Sequence, residues 1–213
     1  MTVTDQTVLA EIQRALVETV DSGATWSSGH WTADEVIDYL NQRQSDFLKR
    51  TQILLKRDTS INTIPHNTRH ALPSDTISLH RVVWRDDSGV YTPLPRSDSF
   101  DQDHADGDWP IDPRAKPDIY TDGEVPNLLL QTSPPASSPG VLEILYAFVG
   151  TALSNSGVNF TVPDMFVQAI KWGVVADMLS KVGRGQDLQR AKWAEVRYEM
   201  GAEAAALILN GWY

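Results

Sequence analysis

The chain has no cysteine among its 213 residues, which excludes disulfides and thiolate metal centres. Its twelve prolines all lie between Pro65 and Pro163. Proline lacks a backbone donor and breaks helix interiors, so both ends are free to be helical while the middle must be strands, turns and loops. Basic charge is scarce: 18 Lys and Arg stand against 28 Asp and Glu, for a formal charge of −10. Gripping nucleic-acid phosphates takes Lys and Arg clusters, so a nucleic-acid-clasping role is disfavoured, although a surface that repels passing DNA is compatible. Long apolar runs are missing as well. The stretch Val141–Val149 is interrupted by Glu143, and nothing nears the ~20 residues of a membrane helix. The start of the chain carries Asp5 and Glu11 and no basic stretch before an apolar core. No secretory signal is expected, and synthesis in a cytoplasm is.

What is present is a globular composition, 41% hydrophobic and 22% charged. Val8, Leu9, Ile12, Leu16 and Val20 recur at helical spacing and predict a helix over 7–20. Thr32 with Glu35 forms a capping-box pattern. The helix it opens carries Val36, Ile37, Leu40, Phe47, Leu48 and Ile53 and is expected to run to about Lys56. From His66 the period changes. Residues 75–84 and 90–95, joined by the turn residues Asp86 to Gly89, predict a β-hairpin. Residues 118–122, 128–132 and 141–148 are further strand candidates. A second capping-box pattern, Thr161 to Asp164, opens a helix ended by Gly183 and Gly185, and Asp187 caps the last one. Ala191, Ala194, Gly201, Ala202 and Ala205 predict that these two helices pack as a tight antiparallel hairpin. The fold class is α+β: N-terminal (1–64) and C-terminal (161–213) helices form one α bundle, and a Pro-rich antiparallel β insert occupies 65–160.

No catalytic motif stands out. The acidic segment 98–108 holds five aspartates and His104, but an extra residue before Asp106 breaks the spacing of a calcium loop, so a solvated loop is the reading. His66 and His70 are four apart on a segment that is not helical, and no metal or cofactor site is assigned. Glu143 and Asp177 lie in apolar segments, and salt bridges are expected there, for instance Asp177 with Arg190 across the C-terminal hairpin. Seven tryptophans are more informative, since Trp and Tyr are enriched at interface hot spots. Leu209, Trp212 and Tyr213 either fold back on the core or dock into a partner subunit.

Several segments then follow a recognisable order. Trp109 precedes Pro117 and Tyr120 in an x-P-x-x-Y strand, the apolar Leu128–Leu130 leads to Pro134 and Pro135, and Leu142–Tyr146 is a strand ending in tyrosine. The helical pair 162–181 and 187–198 follows, joined through Gly183 and Gly185. From about Leu94 to Gly201 this order resembles the head-to-tail adaptor (connector) proteins of tailed bacteriophages. The resemblance implies a virion structural protein at the head–tail junction, with no catalytic residue. It implies a homo-oligomeric ring, commonly of twelve, beneath a portal protein and above the next tail or nozzle component, with DNA only in transit. Candidate partner contacts are Leu209, Trp212, Tyr213, Trp109 and Tyr120. The alternatives are another tail or baseplate component that binds carbohydrate or protein, with Trp84, Trp109 and Tyr120 as its aromatic contacts, and a hydrolase using carboxylates of the acidic segment.

Overall fold

The computed structural model describes residues 3–18, 20, 21, 26, 29–98, 100, 104, 108, 114, 116–122 and 128–210. In chain order the elements are α1 (Asp5–Leu16), α2 (Ala33–Thr51), β1 (Leu55–Thr63), β2 (Arg69–Ala71), β3 (Thr76–Asp86), β4 (Tyr91–Leu94), β5 (Ile119–Thr121), β6 (Leu129–Ser133), β7 (Gly140–Phe148), α3 (Asp164–Ser180) and α4 (Leu188–Asn210). The fold is α+β, with terminal helices flanking a central antiparallel β region. Two compact units result. One is Met1–Leu54 with Val149–Tyr213, and the other is Leu55–Phe148.

In the helical unit, α3 is buried on nearly every side, through Phe166, Val167, Ile170, Val174, Val175, Met178 and Leu179 among others. A helix that is apolar all round must be covered all round, and α1, α2 and α4 each pack against it. Thr4 and Thr32 cap α1 and α2 by accepting the backbone N–H of Thr7 and of Glu35. Val17 and Gln52 end these helices in the left-handed conformation. The segment after β7 is held along α2 by side-chain amides. Asn41 donates to the Leu153 carbonyl at 3.0 Å and accepts the Leu153 N–H at 2.8 Å, while Gln44 donates to the Thr151 carbonyl. Asp5, fully buried, accepts the N–H groups of Ser154, Ser156 and Gly157.

Five sequence expectations need correcting. Helix α1 runs from Asp5 to Leu16 and stops at the left-handed Val17 rather than continuing to Val20. Helix α2 stops at Thr51 rather than about Lys56, because residues 55–63 pair with β7 as strand β1, from Leu55↔Ala147 to Thr63↔Gly140. The Thr161 capping box does not form. Thr161 Oγ1 instead accepts the Thr151 N–H, and Pro163 stands at the N-cap of α3, which has no side-chain cap. The Glu35 carboxylate takes Lys181 rather than turning back on its own N-cap. Arg190 donates to the Ala15 carbonyl, and the partner of Asp177 is Arg43.

In the β unit, a four-stranded antiparallel sheet of order β1-β7-β3-β4 and a three-stranded sheet of order β2-β6-β5 share one core. Strand alternation sends Leu142, Ile144 and Tyr146 of β7 inward, against Trp84 of β3, Tyr120 of β5 and Leu130 of β6. Glu143 points to the other face, where Arg57 and Arg85 hold its carboxylate. Gly140 is required by its neighbour: a Cβ there would stand 2.5 Å from the Trp84 indole nitrogen. The predicted hairpin is β3–β4, closed by Gly89 at φ +82°. Most of the acidic segment 98–108 lies outside the described residues.

Candidate assembly interface

Across the helical unit, Arg43 of α2 ties α3 to α4. Its guanidinium donates to both carboxylate oxygens of Asp177, each at 2.6 Å, and to both of Glu195, at 2.9 and 2.7 Å. Its plane lies over the Tyr198 ring, 4.7 Å from the centroid. Burial alone would weaken the charge, but the bonds from Asp177 and Glu195 outweigh it and hold the guanidinium above its ordinary pKa. Farther along, Arg50 pairs with Glu199 at 2.5 Å. That bond lowers the Glu199 carboxyl pKa. On the other flank, Lys171 of α3 pairs with Glu11 of α1 at 2.9 Å. The Arg43–Glu195 and Arg50–Glu199 bonds give α4 a fixed rotational setting, and that setting decides which of its faces meets solvent.

Helix α4 is apolar on two opposite faces. One carries small residues, Ala191, Ala194, Ala202 and Ala205 with Gly201, and it is buried against α3. The other carries Trp193, Val196, Met200 and Leu207, at spacings of 3, 4 and 7 that line one side of a helix. These four are 51%, 50%, 64% and 70% exposed. Trp193 is positioned in advance. It meets Trp172 of α3 edge-on at 5.1 Å, and the Arg197 guanidinium stacks 4.0 Å from its centroid. Isolated exposed apolar residues are ordinary, whereas a four-member stripe on one helix face with a tryptophan anchor has the make-up of a docking surface.

The sequence candidates fare unevenly. Tyr120 is 4% exposed within the shared β core, leaving it almost no surface for a partner. Trp109, Trp212 and Tyr213 lie outside the described residues, and Leu209 falls in α4 with its side chain also outside them. Sequence reading missed the Arg43 node and the stripe. The stripe's signal lies in the sequence, where Trp193, Val196, Met200 and Leu207 recur at helical spacing opposite the small-residue face of α4. Among the described residues, no group of three His, Asp or Glu side chains is disposed to hold a metal, and no helix is long and apolar enough to cross a membrane.

Among solved structures, the neck of an empty GTA particle computed with C6 symmetry is similar at 17% identity over 92% of each chain, with a TM-score of 0.28. At that score nothing about fold or assembly is drawn from the likeness. None of the curated protein sequences matches the chain. The family model of the SU10 adaptor protein matches residues 4–207. With nearly its whole length inside that match, the chain belongs to the SU10 adaptor protein family.

Proposed function

We propose that the chain is a structural head-to-tail adaptor of a tailed-phage-type particle, forming a ring beneath the portal that joins capsid to tail and lets DNA pass. The observation that carries this reading is the second apolar face of α4. A subunit that leaves Trp193, Val196, Met200 and Leu207 in solvent along one helix is built to be covered by another chain. Adaptor-family membership makes that assembly part of a virion. The partners are the portal protein, a downstream tail or nozzle protein, and further copies of the chain. Leu209, Trp212 and Tyr213, which follow Leu207 in the sequence, are assigned to the portal contact. The reading assigns no reaction and no cofactor.

The carbohydrate-binding alternative loses its support in this fold. Trp84 and Tyr120, two of its three aromatic contacts, are 3% and 4% exposed. The adaptor reading is tested by the native mass of the full chain, alone and mixed with the portal protein of the same particle. A ring in either condition, or a stoichiometric complex with the portal, is expected. A monomer in both conditions refutes the reading.

A further inference from the structure

Two parallel helices of the helical unit carry charge patterns that match when copies stand side by side. Helices α2 and α4 run in the same direction, because Arg43 reaches Glu195 and Arg50, two turns on, reaches Glu199. Along the solvent side of α2 run Asp34, Asp38, Gln42, the half-buried Ser45 and Lys49 at helical spacing, acidic at the start and ending on a lysine, with the exposed Asp46 at the edge of this line. The apolar stripe of α4 has the reverse order beside it. Lys192 lies near its start and Glu203 near its end, both exposed. Asp34, Asp38, Lys49, Lys192 and Glu203 make no ion pair with one another or with other described residues.

We infer that the α4 stripe of one copy packs on the α2 solvent face of the next, with Trp193, Val196 and Met200 laid along Gln42, Ser45 and the stem of Lys49. This contact rests on the ring reading and names the surfaces that would form the ring. The charges select both partner and orientation. Counting from the Arg43–Glu195 bond, Asp38 stands five residues back on α2 and Lys192 three back on α4, so the two share a level. Lys49 and Glu203 lie toward the other end. A neighbour related by rotation about an axis parallel to the helices therefore sets acid against base at both ends. An inverted neighbour would set Asp38 against Glu203 and Lys49 against Lys192, like against like, which is destabilising. The two surfaces differ, so the contact is head-to-tail and propagates into a closed ring when the rotation closes.

The absence of cysteine makes the test clean. Full-length Gln42→Cys and Val196→Cys variants are mixed and treated with a short bis-maleimide, at high protein concentration and again with the portal protein of the same particle. Expected is a covalent dimer from the mixture and none from either variant alone. A chain carrying both substitutions should give a ladder of higher oligomers. Lys192→Asp should lower the assembled fraction severalfold, and adding Asp38→Lys in the same chain should recover part of it. If Val196→Cys cross-links to itself, the stripe meets another stripe and the inference is overturned. If rings form with no cross-link in any sample, the stripe is covered by something else, so this contact fails while the ring reading survives. A chain that stays monomeric throughout overturns both.

Discussion

Gly201 of α4 lies directly against Ala169 of α3: a Cβ added to the glycine would stand 2.3 Å from the alanine Cβ. The two helices therefore meet nearly backbone to backbone, and the alanines around the contact are small for the same reason. Gly201→Ala should gain up to ~1 kcal/mol of helix propensity but lose more, about 1–3 kcal/mol, to overpacking. The expected net result is a lower melting temperature, with Gly201→Leu lower still. A melt showing Gly201→Ala unchanged or stabilised would mean that the helices have room to part.

Removing the guanidinium from the Arg43 node leaves Asp177 and Glu195 facing one another without a cation. Breaking a fully buried pair costs about 3–5 kcal/mol. Here the carboxylates are 27% and 37% exposed, so about 2 kcal/mol is expected for Arg43→Met by chemical denaturation. Arg43→Lys should recover only part of it, because an ammonium with three donors cannot make a bidentate pair with each of the two carboxylates. Equal stability of the Lys variant and the wild type would show that charge alone matters.

His70 of β2 is buried in the β unit, its Nε2 beside Thr132 Oγ1 at 3.2 Å, and burial lowers its pKa to about 4. In the unfolded chain the imidazole titrates near 6.5. Between those values the unfolded state binds more protons, so stability falls as pH drops from about 6.5 toward 4. The loss from this group approaches roughly 3 kcal/mol at the lower end. Denaturant titrations of wild type and His70→Gln across that window should show a shallower slope for the variant. Parallel slopes would count against a neutral buried imidazole.

The formal charge of −10 per chain predicts that assembled material does not retain double-stranded DNA, because like-charge repulsion keeps a passing polyanion mobile. Filter binding at low ionic strength, where electrostatic attraction is strongest, is the demanding condition. Tight retention there would sink a passive-conduit role.

Much of the fold could be read from residue order, because the signals were local. Proline placement separated helical ends from the β middle, and the turn at Asp86–Gly89 marked the β3–β4 hairpin. Strand β1 was missed because a proline-free stretch permits a helix without requiring one. What makes Leu55–Thr63 a strand is β7, whose paired residues lie 77 to 92 positions farther along the chain. Asp177 was assigned to Arg190 from the hairpin alone, whereas the bond goes to Arg43 of α2, a tertiary partner that no local spacing reveals. Tyr120 illustrates the same gap from the other side. An aromatic residue in a strand looks the same in sequence whether it faces a partner or the core, and only the three-stranded sheet lying over β7 decides.

The pairing of Leu55 with Ala147 brings the two ends of the inserted β unit, Leu55–Phe148, next to each other. A module plugged in through two adjoining strand ends can be lengthened, shortened or exchanged while the chain on either side keeps its path. The β unit can thus be replaced as a block, and a short linker from Leu54 to Val149 is the natural graft point for a foreign domain.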